Sequence, residues 1–283
     1  MFKKYRPMLE SLETRETPSG GSMLAGPSFT IDGATLNLVG ARNASNFLAI
    51  TDDGLGGPGS IRMTYNGQDL SALTANATID TINIWGGNRN DYVRFTLNGG
   101  ATGNMTVNAS LGNGNDWFVA ELPGASGAAV FAGGNYAFNA WGGNGNDFMA
   151  LNAFGGLLNL GAGSTLTGRF DGGAGNDLMV LNYDGDNDGT LNFTADGRYG
   201  RDQIFANVNY RADFANIPGT SNIAIRGGDR AYMSVLARNF DPATANVVNA
   251  LVDGSNAPNQ QVIVTNNVFV RNLGRKFSLW IVA

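Results

Sequence analysis

The sequence predicts an all-β protein, a parallel β-helix or solenoid of about seven to eight coils with capping segments at both ends. Three observations predict it. A Gly-Asn-Asp turn recurs along the chain, alternating apolar residues flank each copy, and Lys and Glu are almost missing from the body. The clearest turn is Trp141-Gly-Gly-Asn-Gly-Asn-Asp147, followed by Phe-Met-Ala-Leu151. Related copies carry Asp91, Asp116 and Asp177, weaker ones carry Asp202 and Asp229, and a degenerate first copy has Asn46 in that place. From Asp91 to Asp202 the aligned Asp recurs every 25 to 31 residues, the period range of stacked arrays. Helices of soluble proteins are usually dressed in Glu and Lys. Here the only Lys are Lys3, Lys4 and Lys276, and the only Glu beyond residue 16 is Glu121.

Three regions follow from this pattern: residues 1–25 as a leader or tail, 26–238 as the repeat domain, and 239–283 as a C-terminal cap or final coils. The leader and the 33–39 stretch are the candidate N-terminal cap, needed because an open solenoid exposes sheet edges. Ile82-Asn-Ile84 enters the first full turn and Tyr92-Val-Arg-Phe-Thr-Leu97 leaves it. Met105–Leu111 and Trp117–Leu122 do the same for the next, with the period-two alternation of strands. The following unit predicts three strands, Phe148–Phe154, Leu157–Leu160 and Leu166–Phe170, separated by Gly155-Gly156 and Gly161-Ala-Gly-Ser164. Three strands per repeat describe a three-sided coil. Stacked about 4.8 Å apart, such coils place Ile84, Leu151, Val180 and Leu181 in inner apolar ladders, and corner Asn residues in amide ladders along the axis. Near the end, Asp241-Pro-Ala-Thr-Ala-Asn-Val-Val-Asn-Ala-Leu251 reads as a short helix with Asp241 as N-cap and Pro242 at N1. Continuation of the solenoid is the competing reading. Terminal strands are expected at Gln261–Val264, Val268–Asn272 and Phe277–Val282.

Composition removes several chemistries. With no His and no Cys, the chain has no His general base, no Ser-His or Cys-His nucleophile pair, no disulfide, and none of the usual zinc ligand sets. A net charge of −5 disfavours a nucleic-acid backbone as partner and is compatible with cations. No apolar run approaches the roughly 18 residues of a transmembrane helix.

The repeated Gly-Gly-x-Gly-Asn-Asp-x-apolar unit resembles the nonapeptide of RTX-type, haemolysin-like calcium repeats. The match is best at Gly142, Gly143, Gly145 and Asp147, and at Gly172, Gly173, Gly175 and Asp177. The resemblance implies Ca²⁺ held between stacked turns by carbonyls and by Asp91, Asp116, Asp147, Asp177 and Asp202. Ca²⁺ demands six to eight oxygens at about 2.3–2.6 Å. RTX nonapeptides are tandem, whereas here one occurs per repeat, and the 111–116 copy has lost its Gly pair. The competing reading is that each Asp hydrogen-bonds its own turn backbone. A second candidate site is Asp184-Gly-Asp186-Asn-Asp188-Gly189, which fits D-x-[DN]-x-[DN]-G. It resembles calcium loops of β folds and differs from an EF-hand in having Ala195 where the twelfth-position Glu belongs.

The segment Leu9-Glu-Ser-Leu-Glu-Thr-Arg-Glu-Thr-Pro-Ser19 resembles the LExLExRxxPS motif near the start of exported or surface proteins of planctomycete bacteria. It implies an extracellular or cell-surface location; a plain tail is the alternative. The expected function is a non-catalytic structural or adhesive solenoid, calcium-stabilised, with surface glycans or other cell-envelope proteins as partners. The alternative is a carbohydrate-active enzyme on a parallel β-helix, using Asp202 with Arg201 or Asp229 with Arg230. Trp85, Trp117 and Trp141 flank the turns as corner packing or as a sugar-stacking row. Arg226, Arg230 and Arg238 are either solvated or contacts for an acidic glycan.

Overall fold

In the strand Asn104–Asn113, Met105, Val107, Ala109 and Leu111 are buried while Thr106, Asn108 and Ser110 face outward. That inside-outside alternation, repeated strand after strand, decides the architecture. A strand with one apolar face must lay that face on another apolar face. Here the partner is a second sheet built from the same repeats.

The computed structural model describes residues 26–122, 128–152, 156–211, 219–228, 231–239, 247–253, 259–265, 269–271 and 278–282. The molecule is all-β. One sheet runs in chain order through Ser28–Asp32, Thr35–Val39, Thr81–Gly87, Asn104–Asn113, Asn135–Asn144, Thr165–Ala174, Thr190–Asp196, Thr220–Arg226, Val247–Asp253 and Phe269–Arg271. The other runs through Phe47–Asp52, Tyr92–Leu97, Trp117–Glu121, Phe148–Leu151, Leu178–Gly185, Gln203–Tyr210, Tyr232–Asn239, Asn259–Thr265 and Ser278–Val282. The chain passes from one sheet to the other and back, so neighbours within each sheet are parallel and in register. Antiparallel pairing occurs at the N-terminal edge. There Ser28–Asp32 pairs Thr35–Val39, and Ile61–Tyr65 with Gln68–Asp69 extends the second sheet beyond Phe47–Asp52.

The core is one continuous cluster between the two sheets. Phe95 meets Phe138 edge-on at 5.1 Å across it, and Phe170 packs against Phe118 at 6.0 Å and Phe193 at 5.5 Å. Edge-to-face rings are the favoured arrangement for such pairs.

Four expectations change. The coil is two-sided over most of its length. A third short strand appears only where the repeat is longer, with Ala128–Phe131 pairing Leu157–Leu160, which joins the second sheet through Leu157 and Asp184. The extra residues of those repeats supply it. Phe148–Leu151 is a strand, whereas Phe154, expected in the same strand, lies outside the described residues. Ile84, Leu151 and Leu181 are buried as expected, but Val180 faces outward because the strand's phase places Met179 and Leu181 inside. Finally, Val247–Asp253 is a strand parallel to Thr220–Arg226. Its Val248, Ala250 and Val252 are buried at period two, which overrides the helix-start signal. Asp241 and Pro242 lie outside the described residues, as does the 1–25 leader.

Candidate functional site: a buried aspartate ladder

The recurring Asp is the residue that links one repeat to the next. Asp91, Asp116, Asp147, Asp177 and Asp202 are each 3 % exposed or less. Each Oδ1 accepts the backbone N–H of the equivalent residue one repeat earlier. Asn46 donates to Asp91 at 2.8 Å, Asp91 to Asp116 at 2.7 Å, and Asp116 to Asp147 at 2.8 Å. Asp147 donates to Asp177 at 2.8 Å and Asp177 to Asp202 at 3.0 Å. The carboxylates therefore reach between repeats as well as within a turn. Asn46 starts the row: its backbone N–H and its Nδ2, at 2.7 Å, both donate to Asp91 Oδ1. Its own Oδ1 accepts Ala41 N–H at 2.7 Å and the Tyr65 hydroxyl.

The second oxygens are differently placed. Asp91 Oδ2 accepts Gly87 N–H at 2.7 Å. Oδ2 of Asp116, Asp147 and Asp177 is buried with no hydrogen-bond partner. At Asp147 it lies against Gly142, where a Cβ would sit 2.2 Å from it. Glycine at that position leaves room for the carboxylate. Burial pushes the carboxyls up, to about 7 for Asp116 and Asp177 and about 6 for Asp147, and it also raises Asp91 and Asp52. Hydrogen bonds from the neighbouring backbone oppose this without cancelling it.

Amide rows run beside the carboxylates. Asn115, Asn146 and Asn176 N–H donate to Oδ1 of Asn90, Asn115 and Asn146 at 2.7–2.9 Å. Asn88, Asn113 and Asn144 pass a side-chain hydrogen bond toward Asn43 at 2.7–3.2 Å. The turn itself requires glycine at Gly145, whose φ is +134°, and a Cβ there would lie 1.7 Å from Gly114 O.

The calcium chemistry implied by the turns can be set against this geometry. Each Oδ1 already faces an N–H, the Oδ2 of Asp147 and of Asp177 lies beside a glycine, and no group of three or more acidic side chains gathers among the described residues. With one oxygen of each carboxylate committed to a backbone N–H, the six to eight oxygens that Ca²⁺ needs would have to come largely from turn carbonyls. Asp184, Asp186 and Asp188 are placed differently. Asp184 lies in the strand Leu178–Gly185, Asp186 follows it, and Asp188 stands in a bend with its Oδ1 buried and Asn187 buried beside it. The stretch expected to wrap three carboxylates around one centre is a strand end followed by a bend. Arg211 holds Asp184 with two contacts, the longer at 2.7 Å.

Among the residues proposed for catalysis, Asp202 is buried in the ladder and the Arg201 N–H donates to Asn176 Oδ1 at 2.9 Å. Asp229 and Arg230 lie outside the described residues. Trp85, Trp117 and Trp141 are 41–49 % exposed. Trp117 belongs to a ring row, 6.0 Å from Tyr92 and 4.9 Å from Phe148, with Tyr92 stacked on Phe47 at 4.8 Å. Arg226 and Arg238 are exposed. One buried polar pair joins residues far apart in the chain. Tyr136 OH donates to Asp52 Oδ2 at 2.8 Å, and these residues are 84 positions apart, beyond any local signal. Among the described residues no helix is long and apolar enough to cross a membrane. No family model, curated protein or solved structure matches the chain.

Proposed function

We propose that this chain is a non-catalytic, exported structural and adhesive β-solenoid. The observation that carries the reading is the commitment of the recurring Asp and Asn side chains to hydrogen bonds between repeats, in register along both sheets. A cleft enzyme interrupts its repeat to place charged groups toward solvent; the recurrent carboxylates here are turned inward. On this reading the strand pairs form about nine coils, against the expected seven to eight. The antiparallel strands at the N-terminal edge act as a cap, shielding an edge that would otherwise recruit another strand. The LExLExRxxPS-like segment supports export to the cell surface.

Hydrogen-bond ladders, and not Ca²⁺, are the stabilisers in this proposal. Thermal unfolding followed by circular dichroism in EGTA and in millimolar Ca²⁺, with Mg²⁺ as control, tests it. The expected result is one midpoint in all three. A Ca²⁺-specific rise would reinstate metal at the turns, since a ligand at 100 times its Kd adds about 2.7 kcal/mol. Release of soluble saccharide from plant or algal polysaccharides would overturn the non-catalytic reading.

A further inference from the structure

The outward face of the first sheet changes character along the stack. Over the strands Thr35–Val39, Thr81–Trp85, Thr106–Ser110 and Ala137–Trp141, every outward position is uncharged. Beyond them the same face carries Arg169, Asp171, Asp196, Arg226 and Asp253.

Two features stand on the uncharged part. Along its middle runs an amide row: Asn83 Nδ2 donates to Asn37 Oδ1 at 3.0 Å, Asn108 to Asn83 at 2.9 Å, and Asn139 to Asn108 at 2.9 Å. An amide carries two donors and two lone pairs. The ladder uses one of each at its inner members, leaving the rest available in a fixed orientation. Along its margin stand Trp85 and Trp141, 44 % and 41 % exposed. They share one register position and are separated by Ser110, so their Cα atoms lie about 10 Å apart. Neither indole stacks on another ring among the described residues, unlike Trp117 on the opposite sheet. The serine keeps the space between the indoles open.

We propose that this face binds a neutral polysaccharide, with sugar rings lying on Trp85 and Trp141 and hydroxyls bonding the Asn37–Asn139 amide row. The inference rests on reading the protein as an adhesive solenoid. Charge selects the occupant: an uncharged face on a chain of net charge −5 offers nothing to a polyanion and lacks the cations a nucleic acid needs. A pyranose chain presents apolar C–H faces alternating with hydroxyls, which are the complements of an indole body and an amide. A repeating ligand also meets a repeating surface. Donors already held in place reduce the ordering cost of binding.

The test is retention of the full chain on insoluble cellulose and chitin, with pectate and alginate as acidic comparators, at low and high salt. Expected are retention on at least one neutral matrix, insensitivity to salt, and a loss of at least about tenfold in the Trp85→Ala/Trp141→Ala variant. Trp117→Ala, on the other sheet, retains binding. Equal retention of the double variant, retention on acidic matrices alone, or no retention on any neutral matrix overturns the proposal. So does a dimer that the double variant abolishes, which would make the face a contact between copies. Should that variant lose its fold, a shift of indole emission with cello- or chito-oligosaccharides on the unaltered chain supports the proposal, and no shift opposes it. Saccharide release would sink the non-catalytic reading instead and leave this face standing.

Discussion

Asp147 places one oxygen on the backbone of the preceding repeat and buries the other against glycine. Removing the side chain with Asp147→Ala strands the Asp116 N–H, a loss of about 1–3 kcal/mol readable as a lower denaturant midpoint. Asp147→Asn keeps an acceptor at Oδ1, as Asn46 shows an amide can stand in the row, and is expected to cost less than the alanine variant. The charge state matters too. Folded carboxyls near 6–7 at Asp116, Asp147 and Asp177 stand above the unfolded value of about 3.9. Between those values the folded chain holds more protons, so this contribution is fully present below about pH 4 and fades as pH climbs through 6 and 7. Melting temperatures at pH 5 should exceed those at pH 8, and Asp116→Asn should flatten the slope; a rise toward pH 8 contradicts a protonated ladder. Gly145→Ala is expected to cost more than about 4 kcal/mol or to prevent folding, because a Cβ 1.7 Å from Gly114 O forces the turn apart.

Each strand contributes an inner row and an outer row, and the two tolerate change differently. Phe138 is fully buried and meets Phe95 across the core, so Phe138→Ala should cost about 3–5 kcal/mol in chemical denaturation. Trp117→Ala loses exposed ring contacts and should cost about 1 kcal/mol. The alternation behind this asymmetry is what made the elements legible. Met105 to Leu111 and Tyr92 to Leu97 read as strands from their residues alone, and the aligned Asp marked where each sheet change falls. Three things were hidden. Asp241-Pro242 carried a local helix-start signal, but Val248, Ala250 and Val252 answered to the sheet below them. Asp184, Asp186 and Asp188 have loop spacing, yet the first is held in a strand and the last stands in a bend with one carboxylate oxygen buried. The number of faces per coil depends on where corners fold in space, which residues 148–170 do not state.

At the scale of the whole molecule, periodicity fixed the fold class, whereas the pairing of Asp52 with Tyr136 and the uncharged part of the first sheet emerged only once strands from distant positions were laid side by side. Register is shared along the entire stack, and that has a mechanical consequence. The two outermost ends of the pile, near Ser28–Asp32 and near Ser278–Val282, lie at opposite extremes. Tension between them bears on the last coil before any other, much as a rope pays out from a drum one turn at a time. Successive ladder partners are 25, 31, 30 and 25 residues apart, so each released turn should lengthen the tether by about 80–105 Å. An optical-trap trace of the full chain should therefore show a staircase of such steps, and a single rupture of the whole body would mean that the coils yield together. A protein anchored at one end would then act as a shock absorber, yielding length under load while most of its turns stayed wound.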